Sequence, residues 1–305
     1  TTRDWSELID GEGEHSEIRK LGTTNLGMKL LEPLTGFAAF KTTFLVMFKE
    51  EKRKSLEFAN RRHMMLFPLM LALITMVTTI GLQFLVGDSA AQVSNIEQKT
   101  FTWGELRFAL HLPLLMFSLG MGTFAFMGKD AIVHRSGTKN FLLAAPALQP
   151  LPNSVAHYAY FMKDLLFYVM LILTPVIFGM ALGILIDNYT TVKTPLLWSS
   201  LPWTWIAMIT TLAQGLAVSF LASSLWMRGR PYTIVGPVLI VAIGIAVGLG
   251  KVDANYFLWG LAAQSTQNFA FVIIGLGASV IIGLIASALI TDDFDVAVVE
   301  RGDLL

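Results

Sequence analysis

Gly128–Asp164 reads GKDAIVHRSGTKNFLLAAPALQPLPNSVAHYAYFMKD. It is the longest polar interruption between two apolar runs on the side of the membrane that the basic residues, described below, predict to be cytosolic. Within it, residues 139–145 suit a short helix, which Pro146 must end because proline cannot donate a hydrogen bond to the preceding turn. Pro150 and Pro152 then hold the chain extended. The stretch therefore predicts a short helix, a stiff linker and a new helix start, pinned between two membrane helices.

The composition of the 305-residue chain is that of an integral membrane protein. Hydrophobic residues make up 54% of it and charged residues only 14%, whereas about a quarter of a soluble chain is charged. The net charge is zero, so no nucleic acid or other polyanion is expected as a partner. The chain has no cysteine, which excludes disulfides, thiolate metal sites and cysteine nucleophiles.

Six apolar runs each approach the roughly 20 residues that a membrane-spanning helix requires. They lie at 64–86, 106–128, 161–186, 203–226, 232–250 and 268–290. The third helix can begin near Ser154, with Asn153 or Ser154 as its cap, which would carry its first turns beyond the bilayer into the cytosol. We therefore predict an all-α integral membrane fold with a six-helix transmembrane domain over residues 63–290.

The basic residues predict the orientation of the spans, because cytosolic loops are enriched in Lys and Arg. With both termini in the cytosol, 18 of the 22 Lys and Arg residues lie on the cytosolic side; the exceptions are Lys99, Arg107, Lys193 and Lys251. The predicted outer ends carry an aromatic belt of Trp103, Trp198, Trp203, Trp205 and Trp259. We expect a multi-pass protein of the plasma membrane.

The regions on either side of the spans are polar. Residues 1–36 form a cytosolic N-terminal arm, expected to be disordered by composition or, alternatively, to dock on a partner. An interfacial amphipathic helix is predicted over residues 37–62, and residues 291–305 form an acidic cytosolic tail. The apolar face of the interfacial helix consists of Phe37, Phe40, Phe44 and Phe48, with Lys41 and the adjacent Thr pair off that face.

Small residues recur at every fourth position in four of the predicted spans. The sets are Gly179 and Gly183; Thr211, Gly215, Ser219 and Ser223; Gly244 and Gly248; and Gly275, Ser279, Gly283 and Ser287. Such spacing lets helix backbones approach closely, so it predicts a packed bundle, with a dimer seam as the alternative. Kinks are predicted at Pro68, Pro113, Pro175 and Pro237.

The spans contain few groups that could carry chemistry. No Asp, Glu, Lys or Arg falls in the central part of a span; those at the ends are Lys129, Asp130, Asp164 and Asp187. An ion-coupled carrier is thus disfavoured, because such carriers usually hold ionisable groups at mid-membrane. We expect Gln83, His111 and Gln214 to hydrogen-bond neighbouring helices, and of the five histidines only His111 is placed near a span interior.

No nucleotide, cofactor, metal or catalytic site is predicted in this chain. The segment Gly122–Asp130 has five residues between its glycines, no Ser or Thr after the lysine and no preceding strand, so it is not a phosphate-binding loop. Asp130 and His134 are expected to form a solvated pair rather than a metal site. Any ATP hydrolysis is therefore expected on a partner chain.

The run Arg135-x-Gly137-Thr138-x-Asn140-x-Leu142-Leu143-x-x-Pro146 resembles the loop between the second and third spans of the ABC-2 family of transporter permeases. In that family a charged residue and a Gly-Thr pair precede an acidic residue, a Leu-Leu pair and a proline. Here Asn140 stands where the acidic residue is common, and Pro150 to Pro152 replaces the usual basic turn. The likeness in layout extends over roughly residues 37–290.

The resemblance implies the architecture of an ABC-2, type V exporter-like permease. The interfacial helix would be the family's connecting helix, and the outer loop from Lys251 to Gln267, which carries apolar Tyr256 and Phe257, would hold a re-entrant element. Residues 129–160 would be the cytosolic coupling segment. The residues expected to contact the ATPase are Arg135, Gly137, Thr138, Asn140, Leu142, Leu143 and Pro146.

The resemblance also implies a function. The chain would pair with a second copy or a sister permease and act with two cytosolic ATP-binding cassette ATPase subunits. It would export a hydrophobic or amphiphilic substrate along a path lined mainly by the first, second and fifth spans. The alternative is a structural or anchoring subunit of a membrane complex, and an intramembrane enzyme comes third because no acid, base or metal cluster shares one depth.

Overall fold

The structure is a computed structural model of the 305-residue chain, and it describes residues 36–59, 66–85, 102–127, 152–187, 189, 196–228, 242, 245, 249 and 258–289. Throughout these ranges the chain forms helices, turns and irregular connections, and no strand. Four predicted regions lie wholly or mostly outside them: the N-terminal arm, the coupling segment up to residue 151, the fifth span and the acidic tail.

The described helices are α1 (Phe37–Ala59), α2 (Leu66–Leu85), α3 (Trp103–Met127), α4 (Asn153–Tyr168), α5 (Thr174–Asp187), α6 (Ser200–Arg228), α7 (Trp259–Thr266) and α8 (Phe269–Ala288). Within them, Ser154–Ile186, Ser200–Leu225 and Phe269–Ala288 are long and apolar enough to cross a bilayer, and Leu66–Leu82 is a shorter apolar stretch. These are the features of a helical membrane protein, as expected. The count of six spans stays a prediction.

Helix α6 lies at the centre of the bundle and packs against α3, α8 and α7, with smaller contacts to α4 and α5. Leu212, Leu216 and Phe220, on one face of α6, are completely buried. They meet Leu114 of α3 and Phe161 of α4 in a single apolar core. The central helix therefore holds α3, α7 and α8 in place, whereas α2 packs against α5 and α1 packs against α4.

The outer surface of the bundle is apolar. Seven large apolar side chains of α2 are exposed, and one face of α8 is exposed in the same way at Ile273, Ile274 and Ile281. A soluble protein rarely exposes an apolar surface of this extent, whereas a membrane helix turns its large apolar side chains to lipid. On α8 the large side chains face outward, and small ones such as Ser279 and Ser287 face inward.

The small-residue ladders face helices of the same chain. Gly179 of α5 lies so close to Ala72 and Thr75 of α2 that a Cβ there would overlap both, and a Cβ on Gly215 would overlap Ser118 of α3. Gly275 is equally close to Thr210. The prediction of a packed bundle is therefore confirmed for α5, α6 and α8, whereas Gly244 and Gly248 lie outside the described residues.

The long helix after the coupling segment begins at Asn153, one residue from the predicted start. Its N-cap is Pro152, so the prediction of Asn153 or Ser154 as the cap is wrong. The backbone N–H of Val155 bonds the Pro152 carbonyl oxygen at 3.0 Å, and the helix therefore starts directly from the end of the proline linker.

A π-helical turn, Val169–Leu173, joins α4 to α5 without a break. Both the backbone N–H and the hydroxyl of Thr174 donate to the carbonyl oxygen of Val169, five residues earlier. Pro175 follows at once, and proline disrupts the regular bonding of the turn before it. The wide turn accommodates the proline, so the irregularity predicted at Pro175 takes this form, while Pro113 lies within an unbroken α3.

Helix α1 packs along α4. The ring of Phe40 lies 5.5 Å from that of Tyr158, while Phe37 is exposed. Thr43 and Met47 are the most buried residues that the structure describes on α1. The side of α1 that faces the bundle is therefore formed by residues 40, 43 and 47. The predicted apolar face is rotated slightly away from it, because the prediction left out Thr43.

Helices α7 and α8 form a tight helical hairpin. Gln267 turns the chain in the left-handed conformation, with φ 51°, and the side chain of Asn268 caps α8 by accepting a hydrogen bond from the Ala270 backbone N–H. Gly260 lies against the Ala207 carbonyl of α6, where a Cβ would overlap it. The short helix is thus buried against the bundle, in the region where an apolar re-entrant element was expected.

Candidate functional site

A buried cluster of charges joins α1 to α4. The ammonium group of Lys163 lies 3.2 Å from Glu51 Oε2 and 2.9 Å from Asp164 Oδ1, and 4.1 Å from the centre of the Tyr160 ring. The side chains of Lys163 and Asp164 are only 3% and 7% exposed, against 23% for Glu51. Helix α1 thus supplies a carboxylate to a lysine that α4 buries.

The buried cluster adds to the sequence interpretation, which placed Asp164 at a span end and did not predict its burial. The helix begins ten residues before Lys163, and α1 covers its first turns. The part from Leu165 to Asp187 is still long enough to cross the hydrocarbon core, which needs about 20 residues. The cluster is therefore expected at the boundary of the membrane, enclosed by protein rather than by water or lipid.

His157 forms a second polar contact at the same end of the bundle. Its side chain is buried, with Nδ1 3.1 Å from Ser287 Oγ of α8, and its ring packs edge-on against Phe220. The sequence interpretation gave no buried role to His157, whereas the structure buries it among protein side chains. His157 was missed because it precedes the apolar run of the third span, although it lies inside the folded bundle.

His111 links three helices through a chain of hydrogen bonds. Its Nδ1 lies 2.6 Å from Thr211 Oγ1 of α6, and its Nε2 lies 2.9 Å from Gln264 Oε1 of α7. The amide nitrogen of Gln264 then donates to Thr204 Oγ1 at 3.0 Å. The expectation that His111 bonds neighbouring helices is confirmed.

The direction of the hydrogen-bond chain follows from its last link. Because the Gln264 amide donates to Thr204 through nitrogen, its oxygen faces His111, and Nε2 of the imidazole must carry the proton. Nδ1 of a neutral His111 then accepts from the Thr211 hydroxyl at 2.6 Å, because the other acceptor in reach of that hydroxyl, the Ala207 carbonyl, is farther away at 3.2 Å. Every group in the chain has a partner, so the arrangement fixes α3, α6 and α7 together and leaves no free site on the imidazole.

A cavity of about 530 Å³ opens beside this hydrogen-bond chain. It lies among α2, α3, α5, α6 and the α7–α8 turn, at the end of the bundle that the charge pattern predicts to face outward. Its wall is mainly apolar, with two indole rings, Trp103 and Trp203. The polar groups along it include Thr75, Thr78, Thr79, Ser200, Thr204, Gln264 and Gln267, and Arg107 is the only charged residue among the described lining residues.

The predicted ATPase-coupling residues, from Arg135 to Pro146, all lie outside the described residues. The structure does describe the end of the coupling segment, residues 152–160, as the first turns of α4. These turns carry His157 and lead directly to the buried cluster around Lys163. The described residues thus place two polar features at the base of the long helix and one cavity at its far end.

Comparisons with protein-family models, with curated proteins and with solved structures gave no match to this chain.

Proposed function

We propose that the chain is the transmembrane permease subunit of an ATP-driven transporter of the ABC-2 kind. It pairs with a second copy or a sister permease, and separate cytosolic ATPase subunits supply the energy. Its cargo is a hydrophobic or amphiphilic molecule that is exported. The proposal rests on the sequence resemblance of the coupling segment together with the way in which α1 and α4 are joined.

The observation that carries the proposal is the ion pair between Glu51 and Lys163. A permease driven from the cytosol needs a rigid connection between its cytosolic surface and its spans. Here α4 starts from Pro152, the last residue of the predicted proline linker, and α4 is joined to α1 by a charge pair that burial shields from water and salt. A displacement of the coupling segment would therefore move α1 and α4 as one unit.

The cavity beside His111 favours a transport subunit over the alternative of a purely structural anchor. The cavity is open on one side rather than enclosed, and its volume of about 530 Å³ falls within the range of small-molecule sites. An anchoring subunit has no need of such a site.

Purification of the tagged chain from native membranes, followed by identification of its companions, tests the proposal. We expect a soluble ATPase with a phosphate-binding loop to co-purify, and the chain alone to bind no ATP. Replacing Leu143 by Asp should abolish co-purification, because a carboxylate would be desolvated in an apolar groove. The matched control is Lys193→Asp in a predicted outer loop, which should leave it unchanged. Co-purification of membrane subunits without any ATPase would instead favour the anchoring function.

A further inference from the structure

We propose that the cavity beside His111 is a binding site for one amphiphilic anion, an alkyl chain ending in a single carboxylate or phosphate group whose head binds Arg107. The site lies within one subunit, among α2, α3, α5 and α6. Two of the spans that the resemblance places along the transport path, α2 and α3, also line this cavity, but that path runs between two permeases, whereas this site lies within one. The inference does not depend on an ATPase partner.

The size and lining of the cavity suit an apolar body. Its volume of about 530 Å³ is typical of sites that enclose most of a small ligand. Leu82, Leu106, Leu110, Met180 and Leu201 supply much of its apolar surface. Such a surface gains free energy when it is covered by an alkyl chain rather than by water.

The hydroxyl groups around the cavity already use their protons inside the protein. Thr78 Oγ1 donates to the Ile74 carbonyl at 2.8 Å, and Thr79 Oγ1 donates to that of Thr75 at 2.8 Å. Ser200 Oγ donates to the Leu197 carbonyl at 2.6 Å. These three hydroxyl groups therefore have no proton left to donate to an anion.

Arg107 is the group that can bind an anion. The nearest acidic residue along α3, Glu105, accepts the Thr102 backbone N–H at 2.9 Å and so caps the helix. Among the residues that the structure describes, no ion pair involves Arg107. Its guanidinium offers five donors in a planar fork that matches a carboxylate or a phosphate.

The test uses the whole chain in nanodiscs of zwitterionic lipid and a photoreactive alkyl carboxylate as the probe. We expect saturable labelling of peptides that contain Leu106–Leu110 or Leu197–Leu201. An unlabelled alkyl carboxylate should compete with the probe, and the alkyl alcohol of equal length should not. A second arm repeats the labelling with photoreactive phosphatidylglycerol and phosphatidylcholine, to separate a free amphiphile from an anionic membrane lipid.

Two pairs of variants decide whether the charge and the space matter. Arg107→Gln should weaken binding by about tenfold or more, since charge-assisted hydrogen bonds are the strong ones, and Arg107→Lys should weaken it less. Thr78→Phe should block labelling by filling the cavity. Its neighbour Val77 is 63% exposed and is not part of the lining, so Val77→Phe is the matched control.

Each variant is first checked for an unchanged elution profile and melting temperature in detergent. The proposal is overturned if the neutral alcohol competes as well as the carboxylate, or if Arg107→Gln binds like the unmodified chain. Saturable labelling of other parts of the chain alone would overturn it too. Labelling by phosphatidylglycerol but not by the free carboxylate would support the site and identify its ligand as an anionic membrane lipid.

Discussion

Lys163 is the residue on which the contact between α1 and α4 depends. It balances two carboxylates, Glu51 and Asp164, in a setting where all three are wholly or largely removed from solvent. The attraction within such a buried cluster adds little net stability, because it is offset by the cost of removing the charges from water. Removing one member is nevertheless strongly destabilising, because it leaves an uncompensated charge buried. The lysine is therefore more sensitive to substitution than either carboxylate.

Replacing Lys163 by Met should lower the free energy of unfolding by about 3–5 kcal/mol, because two carboxylates would be left buried without a cation. Replacing Lys163 by Met together with Glu51 and Asp164 by Leu should cost far less. The measurement is unfolding in mixed micelles, with the exposed Lys52→Met of α1 as the control. Equal effects of Lys163→Met and Lys52→Met would contradict the account of the cluster.

The residues that sequence reasoning missed share one cause. Lys163 and His157 lie at the edge of an apolar run, where a hydropathy pattern ends a span, and their partners Glu51 and Ser287 are more than a hundred positions away in the sequence. Nothing in the local sequence indicates that another helix covers them. His111 was predicted to bond a neighbouring helix, but only the fold identifies Thr211 and Gln264 as its partners.

At the scale of helices, the spacing of small residues predicted close packing correctly because that signal is local. A run of small residues every fourth position needs only one helix to define a face. The spacing does not say which helix lies opposite. In the structure, Gly179 faces α2 and Gly215 faces α3. The start of α4 was also predictable. Pro152 is the last proline of the linker, and the sequence has no further proline to break the helix before Pro175.

A matched pair of glycines in α8 tests this packing. A Cβ at Gly275 would collide with Thr210 and Trp259, whereas a Cβ at Gly277 would meet nothing within 4 Å. Gly275→Ala should therefore lower the free energy of unfolding by about 1–3 kcal/mol through overpacking, and Gly277→Ala should change it by less than about 0.5 kcal/mol. Thermal unfolding in detergent measures both. If Gly275→Ala proves as stable as Gly277→Ala, Gly275 does not lie at a close contact between α6 and α8, and the packing described here is wrong.

For the whole molecule, the distribution of side chains matches an apolar solvent. Large side chains such as Ile273 and Ile281 are exposed, while Ser279 and Ser287 are buried. Composition alone predicted the membrane class, because 54% of the residues are hydrophobic. The number of spans rests on the six apolar runs and their orientation on the distribution of Lys and Arg, and both stay predictions.

The orientation is directly testable because the chain has no cysteine. Single cysteines at Ser94, Thr191 and Ala254 should react with a membrane-impermeant thiol reagent in intact cells, since these positions are predicted to lie outside. A cysteine at Ser136 should react only after permeabilisation. Labelling of Ser136→Cys from outside would exclude the six-span topology and the function proposed from it.

The π-helical turn between α4 and α5 determines how this helix tolerates a change in length. Removing one residue from an α-helix rotates everything beyond it by about 100°, but a π-turn already holds one residue more than an α-turn. Deleting Met170 from the turn should therefore close it into regular helix, with Pro175 inside that helix as Pro113 is inside α3, and preserve rotational phase, keeping Gly179 against α2. Deleting Phe178, which is as exposed as Met170 (59% against 61%), should rotate the outer half away and abolish folding. Yields of monodisperse protein from the two deletions would report whether the turn can absorb the loss of one residue that the regular helix cannot.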